Sequence, residues 1–130
     1  MYKRQGLCPG CGAGMVLNQL ATAATAVAEN NIIYVNNTSC SEVSTSKDNV
    51  GSWNVPWVHH LFESGSTVAE AITTSKKILK SKGLYDGEIP WVIHIGGDGS
   101  TYDIGFQFLK AALIRTSSFT EMSEYLRDQK

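Results

Sequence analysis

The sequence predicts an α/β domain: a parallel sheet with flanking helices. Three observations carry this expectation. Two short apolar runs, "NIIYV" at 31–35 and "WVIHI" at 91–95, have the length and β-branched content of buried strands. A long stretch with helical periodicity, 60–81, separates them. Another helical pattern precedes the first run. Strand, long helix and strand in that order favour a parallel βαβ unit with a right-handed crossover.

Each element has its own justification. After "CPGCG" at 8–12, Ala13, Val16, Leu17, Leu20, Ala24 and Val27 recur at spacings of three and four, which predicts a first helix with one apolar face. The strand at 31–35 follows. Residues 36–56 are rich in Asn, Ser, Thr and Gly and read as a loop, far longer than the usual ~4–6 residues and so a candidate for function. The second helix, 60–81, has Val68, Ala71, Ile72, Ser75 and Leu79 as its expected inner stripe. Lys76, Lys77, Lys80 and Lys82 suit the negative end of its dipole, and Gly83 suits its C-terminal cap. "YDGEIP" is a turn that leads into the strand at 91–95, and a third helix is expected over 103–114. Ligands of such sheets sit beyond the C-terminal ends of the strands, so Asn36–Cys40 and Gly96–Gly99 should be neighbours there.

Size and composition set further bounds. The 130 residues suffice for one domain, with 42% hydrophobic and 18% charged residues, as in soluble globular proteins. A net charge of −1 provides no basic field for nucleic acid. No apolar run approaches the roughly 20 residues of a membrane helix. The N-terminus carries positive charge with no apolar segment behind it, so no signal peptide is read and a cytoplasmic location is expected. In that compartment the N-x-[ST] patterns at Asn36 and Asn37 are chance matches.

The segment "GGDGST", 96–101, ends the second strand on one acid among glycines. Glycines let the chain turn sharply and let a ligand approach the backbone. The N–H groups of a following helix favour phosphate, whereas a carboxylate repels it unless a cation lies between. Mg²⁺ binds carboxylate and phosphate oxygens together, so Asp98 makes sense as a magnesium ligand for a diphosphate. The alternative is a glycine-rich turn in which Asp98 caps the helix. The pattern fits neither a dinucleotide fingerprint nor a P-loop.

Cys8, Cys11 and Cys40 are an odd set, which argues against a closed disulfide framework. Cys8 and Cys11 form one C-x-x-C, without the second pair of a zinc ribbon. By composition they are either inert thiols or a metal or redox site. Trp53, Pro56, Trp57 and His59 either pack a loop or line a pocket. Glu63 reads as a surface acid and His94 as a hydrogen-bonded core histidine.

"CPGCG", "NVPWVHHLFES" and "GGDGSTYDIGFQFL" together resemble the β subunit of pyruvate:ferredoxin oxidoreductases (pyruvate synthases), in its N-terminal portion, from about Gly6 to Arg115. The resemblance implies a truncated thiamine diphosphate-binding fold. It implies that Asp98 ligates the Mg²⁺ of the cofactor's diphosphate, with Gly97, Gly99, Ser100, Trp57 and His59 around the cofactor. It implies that Cys8, Cys11 and Cys40 match three ligands of a 4Fe–4S cluster whose fourth cysteine this sequence lacks. The implied activity is oxidative decarboxylation of pyruvate to acetyl-CoA. The implied partners are the α, γ and δ subunits, ferredoxin, pyruvate and coenzyme A. The carboxylate that activates the cofactor comes, in the family, from a partner subunit, so no general base is assigned here.

The resemblance stops at Arg115. The family's Asn-bearing magnesium segment has no counterpart in residues 116–130, where Ser118 and Glu121 fit a capping box and Phe119, Met122 and Leu126 fit one helical face. The expected organisation is a partial cofactor-binding domain, 1–115, and a divergent helical tail, 116–130. One carboxylate gives too few fixed ligands for an octahedral site, so the isolated chain is expected to bind thiamine diphosphate weakly or not at all. Alternative readings are a non-catalytic fragment that binds partners, and a small metal or redox protein using Cys8 and Cys11.

Overall fold

A computed structural model describes residues 7–46 and 53–115. The expected tail helix, 116–130, lies outside the described residues, as does the middle of the expected long loop. In chain order the elements are α1 (Ala13–Ala28), β1 (Ile32–Asn37), α2 (Cys40–Thr45), β2 (Trp57–His60), α3 (Gly65–Ser81), β3 (Trp91–Ile95) and α4 (Asp98–Tyr102). A further helix, α5, covers 106–115.

The sheet is parallel, with strand order β2-β1-β3. β1 is therefore hydrogen-bonded on both sides, and its sequence shows why. A central parallel strand is covered on both faces and reads as an apolar run rather than an alternation. Ile32, Tyr34 and Val35 are buried, and the Tyr34 ring lies 4.5 Å from the Trp53 ring, centroid to centroid. Burial pushes the Tyr34 phenol above its ordinary pKa. Burial continues unbroken through Asn36 and Asn37, both 0% exposed, so the strand ends on polar side chains that water does not reach.

The α/β class and the parallel pairing of the two expected strands are borne out: Ile32 to Asn36 run in register with Trp91 to Ile95. The crossover between them is more elaborate than expected. The supposed loop at 36–56 contains α2, capped by the Ser39 hydroxyl, which accepts from the Glu42 N–H. Trp57 to His60 form a third strand rather than a loop before the second helix. Its four residues are too short to show an alternation, and strand pairing with β1 decides it. The second helix consequently starts at Gly65, not at 60. The third helix is broken at 103–105 into α4 and α5. Gly105 causes the break to be tight: a Cβ there would overlap the Ser100 carbonyl oxygen and lie 3.0 Å from that of Glu63.

Helix ends follow local chemistry. Gly83, at φ +68, closes α3 with the Leu84 N–H donating to the Leu79 carbonyl and the Gly83 N–H donating to that of Lys80. These two bonds form a Schellman motif, which needs a left-handed residue at this place. The following turn is tied back to α3. Lys76 Nζ lies 4.4 Å over the Tyr85 ring, and Lys80 Nζ donates to the Gly87 carbonyl.

The expected apolar faces are only partly covered. On α3, Val68 and Ile72 are half-buried, but Ala71, Ser75 and Leu79 are exposed. On α1, Val16 and Val27 are more than 60% exposed and no residue is buried. Periodicity marks the apolar stripe of a helix; it does not say what lies against it.

Candidate functional site at the mouth of the sheet

The C-terminal ends of the three strands form a mouth, as expected for a parallel sheet. β1 delivers Asn36 and Asn37, then Thr38 and Ser39. β2 delivers His59 and His60, then the turn at 61–64. β3 delivers Gly96 and Gly97 and the start of α4. The two expected loops do meet here: a Cβ on Gly97 would lie 2.9 Å from the Ser39 Cβ. Gly97 therefore has to be small for the segments to touch.

Asp98 is exposed and is the first helical residue of α4. It does not cap the helix; Gly97 occupies the cap position and offers no side chain. Among the described residues Asp98 has no side-chain hydrogen bond or ion pair, and it is exposed where α4 begins beside the mouth. Ser100 is buried and donates to the Gly97 carbonyl at 3.0 Å, so its hydroxyl secures the turn. Gly99 lies under the Phe62 ring, whose Cζ would be 3.1 Å from a Cβ there.

Around this turn the polar groups are held in two networks. In the first, Ser41 Oγ donates to Asn36 Oδ1 at 3.0 Å and lies 2.7 Å from Ser39 Oγ. Asn36 Nδ2 is buried with no partner among the described residues. In the second, Asn37 Nδ2 donates to the Phe62 carbonyl at 2.8 Å, and His94 Nε2 lies 2.9 Å from Asn37 Oδ1. Burial holds the His94 imidazole below its ordinary pKa. The expectation of a satisfied histidine in the strand is met. His59 Nε2 lies 2.8 Å from Thr38 Oγ1, and His60 Nδ1 lies 2.6 Å from Ser64 Oγ. His59 is level with Asn36 at the mouth, whereas Trp57 is level with Tyr34, two residues deeper, and stacks on His59 at 6.0 Å.

These residues suit a diphosphate carried on Mg²⁺. An uncompensated carboxylate, small residues beside it, and a buried amide donor without a partner are the groups such a ligand engages. They supply one carboxylate, which is few for an octahedral ion.

The cysteines are placed differently. Cys8 and Cys11 bracket a tight turn in which the Cys11 N–H donates to the Cys8 carbonyl at 3.0 Å. Pro9 and Gly10, the latter at φ +76, occupy the positions a type II turn assigns to those residue types. Cys40 is the first residue of α2. All three thiols are exposed. Among the described residues no three His, Cys, Asp or Glu side chains converge on a possible metal position. As it stands, then, this donor set does not fit a cubane cluster.

Sequence reasoning missed the parts played by Asn36, Asn37, Ser39, Ser41 and His60. The available signal was the polar run "NNTSCS" following directly on an apolar strand.

Fold and mouth together define a parallel α/β protein with a polar mouth at the strand C-termini. No family model matches the chain. Individual relatives do. It is 43% identical over 109 residues to the pyruvate synthase subunit PorB of Methanocaldococcus jannaschii, covering 83% of this chain and 35% of that protein. It is 37% identical over 110 residues to PorB of Thermotoga maritima, covering 84% and 34%. With PorB of Methanosarcina barkeri it shares 41% over 90 residues, covering 69% and 29%. The chain is thus a homologue of a segment of pyruvate synthase subunit PorB, as its motifs implied, and it spans about a third of the length of the curated relatives it matches.

Proposed function

We propose that this chain forms part of a pyruvate:ferredoxin oxidoreductase and contributes to the site for Mg²⁺ and thiamine diphosphate. The observation that carries this reading is exposed Asp98, unpaired among the described residues and set between Gly97 and Gly99 at the mouth of a sheet in a chain similar to pyruvate synthase subunits. Asp98 would hold the Mg²⁺. Gly97 and Gly99 leave the backbone open to a diphosphate, and Ser100 keeps the turn closed beneath it. His59 would line the same mouth, with Trp57 supporting its ring. When bound, the cofactor supplies the electron sink for decarboxylating a 2-oxoacid. This chain's residues orient it, and no described residue is assigned as an acid or base.

Cys8, Cys11 and Cys40 do not converge as they stand, so they would contribute thiolates to a 4Fe–4S cluster only if assembly brought them together with a ligand from elsewhere. The proposed partners are the α, γ and δ subunits and ferredoxin, with pyruvate and coenzyme A as substrates and the cytoplasm as the location. Among the described residues no helix is long and apolar enough to cross a membrane.

The test is anaerobic co-production with the other pyruvate synthase subunits, followed by measurement of bound thiamine diphosphate and Mg²⁺. The expected result is a complex that retains both, and loses them with Asp98→Ala. A complex that retains the cofactor equally well with that substitution overturns the assignment of Asp98. Failure of the chain to join a complex overturns the function.

A further inference from the structure

His94 is a half-buried strand residue that the proposed chemistry does not use, yet it takes part in the second polar network. Asn37 Nδ2 donates to the Phe62 carbonyl, which fixes the orientation of that amide and leaves Oδ1 as the acceptor toward His94. His94 must therefore carry its hydrogen on Nε2. One hydrogen-bonded chain thus runs from β3 through the end of β1 to the turn at 61–64.

That turn supports the acidic glycine segment. The Phe62 ring lies against Gly99, and the Glu63 carbonyl lies against Gly105. The His94 ring also reaches beneath the same segment: its Cε1 would be 3.4 Å from a Cβ on Gly96. Space for the network depends on Gly65, where a Cβ would overlap Asn37 Oδ1 and lie 2.8 Å from His94 Nε2.

We propose that His94 is a positioning residue: through Asn37 and the Phe62 carbonyl it fixes the turn that braces Gly97 to Gly105, and so sets where Asp98 stands. The bracing is a property of the fold. Its consequence for Mg²⁺-diphosphate binding rests on the function proposed above.

Amide hydrogen exchange on the full chain tests the bracing. The reporters are the Thr101 N–H, bonded to the Gly97 carbonyl at 3.0 Å, and the Asp103 N–H, bonded to that of Gly99 at 3.3 Å. The reference is the Tyr34 N–H, bonded to the Pro56 carbonyl at 2.9 Å on the edge of β1 that faces β2, away from β3. His94→Phe keeps a ring and removes the donor. It should speed exchange at the two reporters about tenfold and leave Tyr34 within about twofold. His94→Gln, whose amide can still donate, should restore protection. Reporters within twofold of the parent, equal acceleration at Tyr34, or a Gln variant no better than Phe would each overturn the proposal. Should the Phe variant not fold, nitrogen chemical shifts of the parent decide: a hydrogen on Nδ1 instead of Nε2 overturns it. In the assembled complex, His94→Phe should raise the KM for Mg²⁺-thiamine diphosphate about tenfold with kcat little changed. If the parent complex takes up no cofactor, the functional reading falls, and the exchange experiment still decides the bracing.

Discussion

Replacing Gly65 by alanine puts a methyl group where Asn37 already is. Gly65 is the first residue of α3 and is buried, and its Cβ would overlap Asn37 Oδ1 while lying 2.7 Å from Asn37 Cγ. Asn37 is 0% exposed and held at both ends, so it cannot swing aside without breaking a bond. Overpacking of this kind costs about 1–3 kcal/mol. Leaving a buried donor unsatisfied on His94 or Asn37 adds about 1–3 kcal/mol. The better helix propensity of alanine returns at most about 1 kcal/mol, and less at a first helical position. The expected net loss is therefore on the order of 3 kcal/mol. Urea unfolding of the full chain, followed by far-UV circular dichroism, measures it. Gly12→Ala is the control, because a Cβ there meets nothing within 4 Å and φ is −71. If Gly65→Ala unfolds within about 0.5 kcal/mol of the parent, the close packing of α3 on Asn37 and His94 is refuted.

Two other outcomes follow from the same structure. His94 titrates from an ordinary value of 6.5 that burial lowers in the folded chain, so the unfolded chain binds the proton more readily. Its contribution to stability is complete above about pH 6.5 and is lost as the pH falls from there toward the folded pKa; melting temperatures across that window should fall with acid, and more steeply than those of His94→Gln. Gly83→Ala forces a Cβ into the left-handed cap of α3 at φ +68, with no neighbour to clash with, and should cost about 1 kcal/mol by urea unfolding. No measurable cost would show that the Schellman closure contributes nothing.

How much was legible in the sequence depended on whether the signal was local. β1 was legible because a strand covered on both faces concentrates apolar residues in a short run, and β3 because its five residues are β-branched or aromatic and follow a proline turn, although none of them is buried. Gly83 was legible as a cap for the same reason: left-handed backbone selects glycine wherever it occurs. The helical start of α3 was placed five residues early because His59, His60 and Glu63 extend a helical spacing that strand pairing overrules. β2 itself was missed, since Trp57 to His60 are strand only because β1 lies beside them. At the site, Asp98 stood out as the lone acid among glycines. Asn37 and His94, 57 residues apart, could not be paired before the sheet order was known.

The sequence by itself determined the class of the fold, two of the three mouth-forming segments and the kinship with PorB, because apolar runs, glycine turns and shared motifs are written in neighbouring residues. The tertiary structure alone decided the order of the strands, the tautomer of His94 and the need for a bare backbone at Gly65. Those depend on which atoms lie within 3 Å of each other across distant parts of the chain. Linear spacing carries no such information: a buried hydrogen bond has a direction and a length that only packing sets.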